Sequence, residues 1–241
     1  MIPLQRMPAP HKTQALLRRW TTRVQDAGAN TQAARAEWKK ASAPKKHVKT
    51  LLESMAHGAV RCMYCDDSRG TDIDHFQPLA SAPLRAFVWE NHLIACTWCN
   101  SNDKRELYPV TSDGTCLLID PTVDDPAEHL VLRFTSCLYE GLTAKGRTSI
   151  QVFGLNRPDL LDGRTRAFTT ACLVIEGWHR RHSDGDPSAD EKARALLESP
   201  FVDVVYSLAR LDPDIAETVL EERTLPALEA WRSVYGTTPT A

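Results

Sequence analysis

Two closely spaced cysteine pairs constrain this chain more than any other feature of its sequence. Cys62 and Cys65 form one Cys-x-x-Cys pair, and Cys96 and Cys99 form a second pair after 30 intervening residues. Each pair can place two sulfurs on one side of a tight turn, so together the pairs can hold one tetrahedral zinc ion. The alternative is that the cysteines are unrelated core residues, but the matched spacing favours zinc. Zinc held by four thiolates has no open coordination position, so its role would be structural.

The composition is that of an ordinary folded protein. Hydrophobic residues make up 42% and charged residues 25% of the 241 positions, and no apolar run approaches the roughly 18 residues of a membrane span. Residues 1–10 lack the continuous apolar stretch of a secretory signal. We therefore expect a cytoplasmic protein of one or two domains, in which disulfides are disfavoured. Three further cysteines stand singly among apolar neighbours and are expected to be small buried side chains: Cys116, Cys137 and Cys172.

Positive charge is concentrated at the amino-terminal end. Residues 1–61 contain 12 Lys and Arg against three Asp and Glu, whereas the remaining positions contain 17 against 28. This distribution suits a partner that carries phosphates, or an acidic protein surface. The alternative is that these charges only solvate helix faces.

Hydrophobic periodicity divides the chain into three zones. Residues 1–58 are predicted to form a basic helical segment. Residues 59–109 contain both cysteine pairs and many Asp, His and Asn residues, which is typical of a metal-organised module. Residues 110–241 are predicted to begin with two strands, at 130–134 and 148–153, and to continue as helices.

Polar residues suited to catalysis lie between and just after the cysteine pairs. They are an Asp-His dipeptide, two asparagines and a lysine: Asp74, His75, Asn91, Asn100 and Lys104. Taken singly, each would more often be a turn former or a surface residue. Together they offer a carboxylate beside an imidazole and amide oxygens, which suit a hard metal ion and a general base.

In their order and spacing these residues resemble the zinc-bound HNH endonucleases, also called the ββα-metal or His-Me finger class. The pattern of Cys-x-x-Cys, Asp-His, Asn, Cys-x-x-Cys-Asn and Lys is met over about forty residues. The resemblance implies an α+β fold that is mainly α. In that fold a zinc-bound HNH finger lies between the basic helical segment and a β-hairpin followed by a helical carboxy-terminal region.

The resemblance also implies roles in the hydrolysis of a phosphodiester bond. His75, at the end of the first strand of the finger, would be the general base that takes a proton from water. Asp74 and Asn100 would hold one Mg²⁺ or Mn²⁺, which offsets charge that develops in the transition state. The amide of Asn91 would fix the loop that orients His75. A structural Zn²⁺ would be held by four thiolates, those of Cys62, Cys65, Cys96 and Cys99.

Three nearby positions carry further expectations. Asn100 stands where many relatives have His, which favours an oxygen-preferring ion such as Mg²⁺ or Mn²⁺. His92 stands where Leu is usual, and although it could contact a phosphate, we expect it to face solvent. Asp72 is a weaker candidate for an outer partner of the metal site.

Segments after the finger narrow the resemblance. Residues 117–126, 128–130 and 153–157 look like the HNH subunit of Septu-type anti-phage systems, the PtuB-like family, also found with some retrons. This likeness covers roughly residues 59–166. It implies a complex with an ATPase subunit, PtuA, and a role as nuclease effector in defence.

Two alternatives to a nuclease remain. The chain could be a zinc-organised nucleic-acid-binding module in which the basic end grips phosphates and nothing is cut. It could also be a protein-interaction subunit whose finger has lost activity. The joint presence of Asp74, His75 and Asn100 favours the nuclease. The motif does not distinguish duplex DNA, single strands or a structured RNA such as tRNA as the substrate.

Overall fold

The computed structural model describes residues 1–56, 58–67 and 69–236. The α-helices are α1 (His11–Asp26), α2 (Thr31–Lys40), α3 (Ser42–Glu53), α4 (Ala144–Val152), α5 (Pro158–Ser183), α6 (Ser188–Leu197), α7 (Val202–Ala209), α8 (Pro213–Val219) and α9 (Thr224–Tyr235). The strands are β1 (Asp72–His75), β2 (His92–Ala95), β3 (Leu130–Arg133) and β4 (Leu138–Gly141). Short 3-10 helices span Pro83–Phe87, Trp89–Asn91 and Pro126–Glu128, and a π-helical turn spans Trp98–Lys104.

The basic amino-terminal segment is helical, as its periodicity predicts. Leu17 of α1 and Leu52 of α3 are buried on the apolar faces of their helices. Asn30 begins α2 by accepting a hydrogen bond from a backbone N–H of the first turn at 2.9 Å. Trp20 of α1 packs against Phe87, with ring centroids 5.5 Å apart. The helices therefore lie directly against the segment that contains the cysteine pairs.

Strands β1 and β2 form an antiparallel hairpin in which His75 pairs with His92. All four residues of β2 are buried, so this strand is the inner one of the pair. The backbone of Gly70, just before β1, lies close to the side chain of Ile94. A Cβ at this position would be only 1.9 Å from that side chain, so a residue without a side chain is needed here. The π-helical turn follows β2, which gives the order strand, strand, helix.

The second predicted strand of the carboxy-terminal region is wrong. Strand β3 lies within 130–134 as predicted, but its partner is Leu138–Gly141, and residues 148–153 lie in or directly after α4. Apolar residues alternate there as they would in a strand. The helix forms instead because Thr143 caps it, accepting a hydrogen bond from Gly146 N at 3.1 Å.

Helix α5 organises the rest of the carboxy-terminal region. It begins at Pro158, whose fixed φ and missing N–H suit the first helical position. Its Trp178 packs against Trp231 of α9 with ring centroids 5.1 Å apart, and both rings are buried. Phe201 approaches α5 at Gly163, where a Cβ would lie 2.2 Å from the Phe201 ring. These contacts build a helical core beyond the second hairpin.

The fold class is α+β and mainly helical, in agreement with the prediction. The predicted boundaries near residues 58 and 109 and the HNH character of the finger stay predictions. Among the residues described, no helix combines the length and the apolar character that crossing a membrane requires.

Candidate functional site

The four paired cysteines lie together. Their sulfur atoms are all within 4.8 Å of one another, and all four residues are buried. The sulfurs of Cys65 and Cys96 are 3.9 Å apart, far beyond the length of a disulfide bond, about 2.05 Å. Zn–S bonds of about 2.3 Å give a tetrahedron with edges of about 3.8 Å, close to this distance. The four residues Cys62, Cys65, Cys96 and Cys99 are called the sulfur cluster below.

Backbone hydrogen bonds of the first hairpin hold both cysteine pairs. The first pair lies in a turn that is attached to β2, because Met63 N donates to Ile94 O at 2.9 Å. The second pair lies where β2 ends and the π-helical turn begins. Cys99 N donates to the sulfur of Cys96 at 3.4 Å. The sulfur positions are therefore set by the strand pairing itself.

The sulfur cluster contains four ionisable thiols, and one cation, Arg157, donates a hydrogen bond to it. Hydrogen bonding from Cys62 lowers the pKa of Cys65 to about 6, whereas burial raises the pKa of Cys62 well above its ordinary value. Four thiolates buried together would need a cation to balance their charge. Four converging sulfurs fit zinc, which would be structural. Arg157 Nη1 donates to the sulfur of Cys99 at 3.5 Å and would offset part of the remaining negative charge.

His75 ends strand β1 and faces the amino-terminal helices. Its Nε2 lies 3.1 Å from the carbonyl oxygen of Ala86, and its ring packs edge-on against Trp38 with centroids 4.4 Å apart. Burial lowers the pKa of His75 to about 4, so the imidazole is neutral near pH 7. The side chain is half-buried. A neutral, oriented imidazole is the form that a general base needs.

Asp74 points to the opposite face of β1, as neighbouring residues in a strand do. Its carboxylate accepts a hydrogen bond from the hydroxyl of Tyr64 at 2.5 Å and one from Lys104 Nζ at 3.0 Å. The same ammonium donates to the carbonyl oxygen of His75 at 2.8 Å. Asp74 and Lys104 are both buried. These four residues, Tyr64, Asp74, His75 and Lys104, are called the polar cluster below.

Asn91 is fully buried and uses its side chain to fix the loop after β1. Its Oδ1 accepts from Gln77 N at 2.8 Å, and its Nδ2 donates to Gln77 O at 3.0 Å and to Arg85 O at 3.2 Å. Its backbone carbonyl accepts from Phe76 N at 2.8 Å. The residues that follow His75 are thereby held in one conformation.

Asn100 lies on the π-helical turn, four positions before Lys104. Its backbone N–H donates to Cys96 O at 3.0 Å. Within the described chain, its half-buried side chain makes no hydrogen bond to Asp74 or to any other residue. The structure thus brings together the Asp74 carboxylate, the His75 carbonyl and the Lys104 ammonium. The His75 ring lies on the other face of β1, against Trp38, and the Asn100 amide lies outside these hydrogen bonds.

The oxygen donors of Asp74 and Asn100 are chemically right for Mg²⁺ or Mn²⁺, but the arrangement does not fit such an ion. Both carboxylate oxygens of Asp74 already lie within 3.0 Å of a donor, and the Lys104 ammonium supplies the compensating charge. Mg²⁺ retains several of its waters, and a carboxylate that is 3% exposed offers them no space.

The expectation that His92 faces solvent is wrong. His92 is fully buried, its Nε2 lies 3.0 Å from Ala86 O, and its ring stacks on Trp38 with centroids 5.3 Å apart. Its position opposite His75 in the hairpin places it beneath the amino-terminal helices. Asp72 lies at the outer end of β1 and accepts a hydrogen bond from Thr97 Oγ1 at 3.2 Å.

Comparison with known proteins gives two curated relatives. A Septu protein PtuB of Bacillus mycoides is 28% identical over 149 residues, covering 49% of this chain and 50% of the relative. A Septu protein PtuB of Bacillus thuringiensis is 31% identical over 122 residues, covering 48% of this chain and 44% of the relative. The chain resembles Septu protein PtuB. No protein-family model and no solved structure matches the chain.

This likeness confirms the resemblance to PtuB that the segments after the finger predict. It is partial, because the chain spans about half the length of these curated relatives. The catalytic roles of Asp74, His75, Asn91 and Asn100 stay predictions.

Several residues of the site were not found from the sequence. Tyr64 lies inside the first cysteine pair, yet its hydroxyl contacts Asp74 and its ring stacks on Phe153, with centroids 4.0 Å apart. Trp38 comes from the amino-terminal segment and contacts both histidine rings. Arg157 joins the sulfur cluster from the far end of the resemblance. Their only signal was an aromatic or basic residue in a helix or turn, which is too common to identify a contact.

Proposed function

We propose that this chain is a metal-dependent HNH endonuclease that hydrolyses phosphodiester bonds in nucleic acid. We further propose that it is the nuclease effector subunit of a Septu-type anti-phage system and works with a PtuA-like ATPase subunit. The likeness to Septu protein PtuB supports the defence role. The observation that carries the nuclease is the position of His75, which ends a strand of a hairpin fixed by four sulfurs.

His75 would act through Nδ1. A carbonyl oxygen can only accept a hydrogen bond, so the contact with Ala86 O assigns the ring proton to Nε2 and leaves Nδ1 basic. With a pKa of about 4 the ring is neutral but a weak base. An approaching phosphate would raise this pKa, because its negative charge stabilises the imidazolium. The ring would then take the proton of the attacking water.

The basic helices support a substrate that carries phosphates. Trp38 of α2 contacts the His75 ring, and Lys45 Nζ lies 5.9 Å from the centre of the Trp38 ring. Lys39 and Lys46 are exposed on the same pair of helices. The concentrated positive charge of the amino-terminal segment therefore lies beside the proposed base, where it can attract a polyanion.

One observation favours the alternative of a zinc-organised binding or interaction subunit without cleavage. Asp74 would be a metal ligand in a nuclease of this class, yet it is buried and paired with Lys104. A module that only binds nucleic acid would use this ion pair as part of its core. The two functions can be distinguished by cleavage: a nuclease needs His75 to hydrolyse the phosphodiester bond, whereas a binding subunit cleaves nothing.

The test is cleavage of plasmid DNA, single-stranded DNA and tRNA in the presence of Mg²⁺, by the full chain alone and with its ATPase subunit. His75→Ala should lower the cleavage rate by about 100-fold or more, because a general base contributes that much. His129→Ala is the matched control, since His129 lies beside the second hairpin and is hydrogen-bonded to Thr143, away from His75. Zinc content should be equal in all three proteins. Cleavage by His75→Ala at the wild-type rate would rule out the proposed base, and absence of wild-type cleavage under every condition would favour the binding subunit.

A further inference from the structure

The Lys104 ammonium is the feature of the polar cluster that the proposed function does not explain. It is fully buried and lies 3.0 Å from the carboxylate of Asp74 and 2.8 Å from the carbonyl oxygen of His75. We propose that Lys104 is an internal cation that closes the Asp74 site to divalent metal, and that a metal binds there only when Lys104 withdraws. This inference rests on the proposed function, because it takes Asp74 as the metal ligand.

The first argument is charge. Asp74 carries one negative charge and Lys104 one positive charge, and Tyr64 adds only a hydroxyl donor to this pair. The polar cluster is therefore balanced without a metal. A divalent cation added beside the ammonium would meet like charge in a buried site, where repulsion is weakly screened. The ammonium and the metal therefore compete for one carboxylate.

The second argument is space. Tyr64 and Lys104 contact the two oxygens of Asp74 from the interior, and the residue is 3% exposed. Mg²⁺ and Mn²⁺ need further oxygen ligands, usually waters, around any carboxylate that binds them. Those ligands can enter only if the ammonium leaves.

The third argument is the backbone that carries Lys104. Lys104 is the last residue of the π-helical turn, a geometry that is rare and frequent at functional sites. The next residue, Arg105, has φ of 48°, which a side chain other than glycine adopts at a cost in free energy. Arg105 N donates to Asn100 O at 2.7 Å and closes the turn. Rewinding this turn would move Lys104 and Asn100 together, because they lie one turn apart.

A chemical labelling experiment on the wild-type, zinc-loaded chain tests the withdrawal directly. Acetylation of lysine by an activated ester is measured by mass spectrometry with and without Mn²⁺. Lys104 should react slowly alone and several-fold faster with Mn²⁺. Lys145 is the matched control, because it is half-buried and pairs with Asp124 at 2.8 Å away from the finger. Unchanged labelling of Lys104 at saturating Mn²⁺ would overturn the proposal.

A binding experiment tests the competition. Mn²⁺ affinity is measured from the electron paramagnetic resonance signal of the free ion. Lys104→Met should bind Mn²⁺ tighter than the wild type by about tenfold or more, because the competing charge is gone. Adding Asp74→Asn to this variant should remove the gain. Equal affinity in Lys104→Met and the wild type would contradict the proposal. Should Lys104→Met fail to fold, the labelling result on the wild type decides.

Neither measurement depends on cleavage, so the two proposals can fail separately. A chain in which Mn²⁺ releases Lys104 but which cuts no nucleic acid would keep this inference and lose the nuclease. A chain that cuts with His75 while Lys104 stays protected would do the reverse.

Discussion

The sulfur cluster and the polar cluster belong to one hairpin and differ in how their charge is balanced. The sulfur cluster gathers four ionisable sulfurs, with Arg157 as the cation that donates to one of them. The polar cluster pairs one carboxylate with one ammonium at 3.0 Å. As thiolates, the sulfurs of the first cluster would need a metal ion to balance their charge, whereas the second cluster is balanced without one. Judged by their donor atoms alone, both clusters would be assigned a metal ion.

The two clusters share the same short segments of chain. Tyr64 lies between Cys62 and Cys65 yet contacts Asp74, and Lys104 ends the turn that contains Cys99. A loss of zinc would therefore disturb the polar cluster, because the segments that carry it would lose their anchor. Disturbing the polar cluster leaves all four sulfur ligands in place. We therefore expect substitutions in the sulfur cluster to have larger effects than substitutions near the polar cluster.

The largest effect is expected from Cys96→Ser. Removing one thiolate should release zinc and unfold the finger, because apparent zinc-binding free energies of about 10–16 kcal/mol contribute directly to folding in small zinc domains. Zinc content and the melting temperature measure the outcome. Cys116→Ser is the matched control, since Cys116 is half-buried and outside the sulfur cluster. Full zinc and an unchanged melting temperature in Cys96→Ser would contradict the four-sulfur site.

What the sequence predicted well was local. The spacing within each cysteine pair predicted that its two sulfurs lie close together, and the resemblance to HNH endonucleases implied a strand that ends at His75. The helices of the amino-terminal segment followed from their periodicity. In each case the residues that decide the structure are near neighbours in the chain.

What the sequence missed depends on contacts between distant segments. Lys104 and Asp74 are 30 positions apart, and no local pattern indicates that an ammonium will reach that carboxylate. His92 is buried because Trp38, from another segment, covers it. Residues 148–153 alternate as a strand does, but the cap at Thr143 favours a helix. Tertiary packing and a single cap outweighed the local pattern in these places.

A smaller effect is expected from Asn91→Ala, which removes hydrogen bonds but no metal ligand. The free energy of unfolding should fall by about 3 kcal/mol, because half-buried backbone groups of Gln77 and Arg85 lose three hydrogen bonds. Zinc content should stay full, and cleavage should fall because the loop after His75 is released. Melting temperature, zinc content and cleavage rate are measured together.

Asn156→Ala is the matched control for Asn91→Ala. Asn156 holds the backbone N–H and carbonyl of Tyr139 at 2.9 and 2.8 Å, in the second hairpin. It should destabilise the chain similarly while cleavage by the folded protein stays at the wild-type rate. An equal loss of cleavage in both variants would mean that Asn91 acts through general stability and not through the position of His75.

The smallest effect is expected on the stability of the chain at acidic pH, through the neutral imidazole of His92. Burial holds the pKa of His92 well below its ordinary value of 6.5, so below pH 6.5 the unfolded chain binds a proton that the folded chain does not. The stability that the neutral ring contributes is therefore lost as pH falls below 6.5, by at most about 1.4 kcal/mol per pH unit. His92→Phe keeps a ring against Trp38 and cannot be protonated. Urea unfolding at pH 7.5 and pH 5 should therefore show a smaller acid loss in His92→Phe than in the wild type. Release of zinc by acid would affect both proteins alike, so an identical acid loss in the two would mean that His92 does not contribute to the acid sensitivity.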